Sequence, residues 1–166
     1  MKRAMENHPQ MGAGYKAVQE MQKHIPVCTL DDLREADGLV LGSPTRYGNM
    51  TAQVKQLIDS TGQLWLKGEL EGKPAGLFTS TGSMHWGQES TLLSMMVPLL
   101  HLGMIIVGVP ASVQGALHTE ARGATPYGAS TVAGPVGQLQ PVKEDLEIAK
   151  ALGKRVAEVT LRLRAK

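Results

Sequence analysis

Short apolar runs alternate along this chain with segments of helical pattern, and that alternation restricts the fold more than any other feature. Leu39-Val40-Leu41 is closed by Gly42-Ser43-Pro44, Ala75 to Thr79 runs into a Ser/Thr/Gly loop, and Met104 to Val109 lies between Gly103 and Pro110. Apolar runs punctuated in this way read as buried strands. Between them Thr51 to Asp59 and Glu89 to His101 read as helices, the first with Val54, Leu57 and Ile58 on one face. Two shorter helical pieces come earlier, Tyr15 to Met21 and Thr29 to Ala36. Thr29 is an N-cap candidate, and Asp31 and Asp32 are placed where carboxylates favour the positive helix end. A closing amphipathic helix, Glu144 to Arg164, carries Leu146, Ala149, Leu152, Val156, Val159 and Leu163 at spacings of three or four. The order β-α-β-α-β predicts a doubly wound parallel sheet with helices on both faces.

At 166 residues the chain forms one domain spanning 1–166 rather than two, and no repeat or linker divides it. The exception to short connections is the segment 110–141, which holds five of the nineteen glycines and is far longer than an ordinary connection. Such a loop is functional or disordered. Seventeen basic against fifteen acidic residues give a formal charge of +2, too balanced for a nucleic-acid surface. No apolar run approaches the ~20 residues needed to span a membrane, and residues 1–10 do not resemble a signal peptide. Cys28 is the single cysteine, so no intrachain disulfide forms. A cytoplasmic protein is expected. No His/Cys/Asp/Glu spacing suggests a metal.

Open parallel sheets bind ligands beyond the carboxyl ends of their strands, which directs attention to three loops. Ser43 to Met50 offers a hydroxyl, a guanidinium and an aromatic ring, either as a site for a planar polar ligand or as a Pro/Gly turn with an exposed Arg46. Ser80 to Gln88 runs into a helix start. Its small residues let backbone N–H groups approach a ligand, or serve only as a turn. The third loop begins at Pro110. His101 and Trp65 each have an ordinary reading as well, His101 as a helix C-terminal cation and Trp65 as a core anchor.

Beyond spacing, whole stretches match a known pattern. Gly42-Ser43-Pro44-Thr45-Arg46-Tyr47-Gly48-Asn49-Met50 and Asp59-Ser60-Thr61-Gly62-Gln63-Leu64-Trp65 resemble the G-[ST]-P-T-R-[FY]-G-N-M and D-x-T-G-x-L-W signatures of the WrbA-type NAD(P)H:quinone oxidoreductases. Further matches are Phe78 to Gly82 with Gly87-Gln88-Glu89, His101 to Met104, and Pro126 to Ala129 with Gly134. The resemblance implies a flavodoxin-like α/β fold, FMN as cofactor, NADH or NADPH as electron donor, and quinones as acceptors. It implies that Thr45, Arg46 and Tyr47 contact the isoalloxazine, and that Ser80, Thr81, Gly82, Ser83, Met84 and His85 wrap its pyrimidine side. His101 is implied at the catalytic pocket beside the cofactor, and Trp65 as a catalytic and substrate-binding wall. Homodimers or homotetramers with active sites shared between subunits are implied too.

Three departures accompany the resemblance. The family opens with a strand and an S-x-x-G-[HN]-[TI] loop that cradles the FMN phosphate; here Met1-Lys2-Arg3 resembles the family's second strand, so an N-terminally truncated sheet with an open apolar position is expected. Trp86 stands where the family has glycine, and Ala111 where it has tyrosine. The alternative expectation is therefore a remnant with weak or no flavin binding, acting as an interaction or oligomerisation module. An electron carrier is a third.

Overall fold

The computed structural model describes residues 12–114, 121–123 and 125–165. Helices α1 (Gly12–Met21) and α2 (Leu30–Glu35) lead into strand β1 (Leu39–Pro44). Then come α3 (Ala52–Asp59), α4 (Gly62–Leu66), β2 (Pro74–Thr81), α5 (Gln88–His101), β3 (Ile105–Ile106), α6 (Ala111–Gln114), β4 (Ala129–Val132) and α7 (Lys143–Arg164). Thr29 caps α2 as expected: its hydroxyl accepts from Asp32 N at 3.2 Å while Asp32 Oδ2 accepts from Thr29 N at 2.7 Å. The expected strand at residues 1–3 lies outside the described residues.

β1 and β2 run parallel, Leu39 opposite Ala75 through Pro44 opposite Ser80. β3 pairs with Pro74 and Ala75 at the start of β2, and β4 with Phe78 to Thr81 at its end, both parallel. Since β1 occupies one side of β2, β3 and β4 share the other as one column in two pieces. Val107 N still donates to Ala75 O at 2.8 Å, and the column then breaks, with Val109 N donating to Pro126 O at 3.0 Å. The chain rejoins it through Gly128, where a Cβ would lie 2.3 Å from Leu77 O, so only glycine fits.

Two expectations are corrected here. The third strand is not Met104 to Val109 but Ile105–Ile106 with a single further ladder bond, and 110–141 is not one loop, since α6 and β4 interrupt it. Ala129-Ser130-Thr131-Val132 has no apolar alternation to announce a strand; the free edge of β2 makes it one. Gly62 opens the short helix that carries Trp65.

Right-handed crossovers from β1 to β2 and from β2 to β3 put α3, α4 and α5 on one face, and α7 packs on the other. Strand alternation divides the core accordingly. Ala75 and Leu77 bury against Leu64, Leu92, Met95 and Leu99; Ala129 buries with Ile148, Leu152 and Val156 of α7. α7 lies over Gly76, where a Cβ would come 2.8 Å from Val156 Cγ2. It leaves Val40 at 45% and Phe78 at 47% exposure on the same face, and no described strand pairs with the outer edge of β1.

Candidate functional site

At the carboxyl edge of the sheet, buried hydroxyls hold the loops that follow β1 and β2. Ser43 Oγ accepts from Thr51 N at 2.9 Å, Thr79 Oγ1 donates to Ser43 O at 2.7 Å, and Thr45 N donates to Ser80 O at 3.0 Å. Arg46 and Asn49 exchange backbone bonds of 2.8 and 3.1 Å, closing a tight turn around Tyr47 (φ 54) and Gly48 (φ 74). A non-glycine residue with positive φ is uncommon and concentrates at functional sites. The Tyr47 ring projects into solvent and Arg46 Nη1 donates to Thr45 O at 2.8 Å.

The second loop closes onto the first. Thr45 Oγ1 accepts from Gly48 N at 3.2 Å and from Thr91 Oγ1 of α5 at 2.8 Å. Gly87 (φ 105) approaches so closely that a Cβ would meet Gly48 Cα at 2.9 Å and Thr45 Oγ1 at 3.1 Å. The structure therefore brings together the two loops singled out in the sequence, Thr45 to Tyr47 and Ser80 to His85. Within the second, Thr81 Oγ1 donates to Ser83 O at 2.9 Å, while Gly82, Ser83, Met84, His85 and Trp86 are exposed. Met84 and His85 form a hydrogen-bonded turn, the backbone N–H groups of Gly82 to His85 and of Gly87 find no acceptor among the described residues, and α5 has no side-chain cap. An uncapped helix start beside free amides is a ready acceptor of negative charge.

A third loop, missed from sequence, completes the edge. After β4, Ala133 N donates to Thr81 O at 2.8 Å, and a Cβ on Gly82 would meet Gly134 O at 3.6 Å. Its signals were the glycines Gly134 and Gly137 within the long segment 110–141, and without β4 they could not be assigned to a strand end. Asp145, 3% exposed at the start of α7, pins this side. It accepts from Arg122 N at 3.0 Å, Gly123 N at 2.9 Å and Thr131 Oγ1 at 2.7 Å, while Gln88 Nε2 donates to Arg122 O at 3.2 Å. Residues 121–123 are thereby strapped between the starts of α5 and α7.

His101 and Trp65 stand elsewhere. α5 carries 14 residues away from the second loop, so His101 lies about 20 Å from it at 1.5 Å per residue. A groove of about 500 Å³ joins His101 and Trp65 with Met50, Ile58, Val97 and Pro98, and reaches Asn49 at the loop end. Trp65 is 58% exposed, and Leu66, Val97 and Leu100 beside it are exposed as well. The two residues thus sit together in a groove that opens beside Asn49 and Met50 of the first loop, while His101 is a helix length from the second.

Other groups are inert by position. Cys28 precedes α2, and partial burial, then the Asp32 charge, push its thiol above the ordinary value, against thiolate reactivity. Among the described residues no cluster of three His, Cys, Asp or Glu could hold a metal, and no helix is long and apolar enough to cross a membrane.

Comparison with known proteins bears on this arrangement. Residues 9–117 match the NADPH-dependent FMN reductase family. The chain is 48% identical over 153 residues to an NAD(P)H dehydrogenase (quinone) of Solidesulfovibrio magneticus, covering 92% of this chain and 75% of that protein. It is 49% identical over 151 residues to a protein of the same name from Geotalea daltonii, covering 90% and 74%. A flavodoxin, WrbA-like protein from Agrobacterium tumefaciens superimposes with a TM-score of 0.60 at 22% identity, over 80% of this chain and 71% of that one, a likeness of fold.

Proposed function

Because the chain belongs to the family of NADPH-dependent FMN reductases, we propose that it carries out FMN-dependent two-electron reduction of quinones with NADH or NADPH. The observation that carries this reading is the pair of loops knitted through Thr45, which present free backbone amides at the uncapped start of α5. These residues fit the flavin ring: side-chain-free Gly87 lets the two loops close, and the backbone amides of Gly82 to His85 at the uncapped start of α5 would suit an acceptor such as the N1–C2=O edge of the ring.

When bound, FMN supplies the hydride acceptance and two-electron delivery; the protein contributes binding, orientation and field. Thr45, Arg46 and Tyr47 hold the ring from one side, with the Arg46 guanidinium free to leave its own-loop carbonyl for a ligand oxygen. Ser80, Thr81, Gly82, Ser83, Met84 and His85 surround its pyrimidine side, and the α5 N-terminus favours negative charge there. His101 holds an imidazole proton for the acceptor oxygen and touches the cofactor's neighbourhood, while Trp65 forms a flat wall for quinone or nicotinamide. The length of α5 between the second loop and His101 supports an assembly in which the pair serves a neighbouring copy, and the exposed Trp65, Leu66, Val97 and Leu100 supply an apolar surface for it. A WrbA-type homodimer or homotetramer follows from this reading, and the lone thiol of Cys28 suits a reducing, cytoplasmic setting.

A second reading, a weakly flavin-binding interaction module, draws support from the exposed Val40 and Phe78. One experiment separates the two. Protein loaded with FMN should be yellow, bleach anaerobically with NADPH and regain colour with benzoquinone; colourless protein in excess FMN favours the module. For the shared site, mixing an inactive Arg46→Ala variant with an inactive His101→Ala variant should restore turnover in the hybrid assembly. Failure of every mixture to recover activity confines the site to one chain.

A further inference from the structure

The loop that closes onto Thr45 carries a residue the flavin reading leaves unused. Trp86 lies between His85 (φ 60) and Gly87 (φ 105), so left-handed turns on both sides set the indole at the loop's tip. Its root is fixed, because Gly87 rests on Gly48 and Thr45 and the next residue, Gln88, is buried and donates to Arg122 O at 3.2 Å. Its ring is 76% exposed. A large apolar ring on a firmly anchored stem, left in water among glycine, serine and histidine, contributes nothing to the core.

We propose that Trp86 is an acceptor-binding residue, a flat wall supplied in cis on which the quinone stacks at the mouth of the flavin site. This rests on the flavin reading of the two loops and adds to it a specificity-determining side chain. The chain holds two tryptophans, and Trp65 is carried by α4 and lines the groove beside His101 rather than the second loop. Trp86 is therefore the indole that the second loop itself carries. Its neighbour across the loop contact is Tyr47, also exposed, so the backbones that touch at Gly48 and Gly87 each bring an aromatic ring. The chemistry matches the acceptor class: a quinone is a planar, electron-poor ring and indole an electron-rich one, a pairing that stacks favourably. Where glycine would leave the mouth open, Trp86 narrows it, which selects flat, unbranched acceptors over bulky ones.

The test uses the whole FMN-loaded chain, with Trp86→Gly and Trp86→Phe. FMN affinity, read by quenching of flavin fluorescence, should change little in either variant. Binding of anthraquinone sulfonate to the oxidised protein, measured by calorimetry without NADPH, should weaken about three- to tenfold in Trp86→Gly. Trp86→Phe should recover most of the loss. The KM for quinone should rise in step while kcat holds. Equal anthraquinone affinity in wild type and Trp86→Gly overturns the proposal, and so does dissociation of an oligomer in Trp86→Gly, which would make the ring an interface residue. If the wild type binds no FMN, the flavin reading fails and this inference falls with it; if FMN binds and only the anthraquinone result is flat, the flavin reading stands alone.

Discussion

Thr45→Val removes the hydroxyl through which the first loop, the second loop and α5 are joined, with almost no change of shape. Thr45 Oγ1 accepts from Gly48 N at 3.2 Å and from Thr91 Oγ1 at 2.8 Å. Thr91 is fully buried, so its donor loses its partner where no water reaches it, at about 1–3 kcal/mol. The lower figure applies if the hydroxyl swings back to Gly87 O, which already accepts from Thr91 N. Gly48 N is half-buried and recovers part of its bond from water, adding about 0.5–1 kcal/mol. Together they predict a loss of about 1.5–4 kcal/mol, a Tm drop of roughly 3–16 °C for a domain of this size. Thr91→Val should cost less, about 1 kcal/mol, because the Thr45 hydroxyl keeps Gly48. In the double variant the buried donor and its acceptor are both gone, so it should be more stable than Thr45→Val alone. Urea unfolding followed by circular dichroism measures all three. Strictly additive losses, or a double variant weaker than Thr45→Val, would falsify the claim that this hydroxyl pair is sealed from water.

Arg46→Ala should leave the fold intact and weaken FMN binding by about 1.5–3 kcal/mol, roughly 10- to 150-fold, because a charge-assisted bond is lost; an unchanged flavin titration removes the guanidinium from the site. Asp145→Asn replaces an acceptor of three bonds by a side chain that can accept fewer, and should cost about 3 kcal/mol in urea unfolding. A loss below about 0.5 kcal/mol would show that residues 121–123 are not pinned there. The Thr29 hydroxyl and amide hold the Asp32 carboxyl below its ordinary value of 3.8. Its folded form is thus favoured when ionised, so the cap of α2 is complete above that value and lost as acidification passes the lowered one. The Thr29 amide resonance should report the transition, and an amide unmoved in strong acid would exclude the capping box.

Much of the fold was legible because it follows from local chemistry. Thr29 and Thr51 cap the helices they precede in sequence, and the apolar spacing of Leu152 and Val156 puts them under α7. Leu39 to Leu41 and Ala75 to Thr79 carry enough apolar side chains to declare themselves as strands. The loops that follow them were located by the same logic, since strand ends dictate where ligands collect in a parallel sheet. What escaped was decided by partners remote in sequence. β4 is a strand because Phe78 to Thr81 of β2 present an unfilled edge, a condition that small and polar residues such as Ser130 and Thr131 do not advertise.

The site divides in the same way. The sequence by itself determined which residue types stand at the carboxyl edge, Thr45 to Tyr47 and Ser80 to His85, through turn chemistry and a long motif resemblance. Tertiary structure alone decided that these two loops touch, because a hydroxyl of α5 at Thr91 and a side-chain-free Gly87 must meet Thr45 and Gly48 across the sheet. It also decided that His101 ends α5 away from the second loop, beside Trp65 of α4. A helix of 14 residues sets that separation by its fixed rise, whereas a motif records only that residues occur together, never how far the backbone carries them apart.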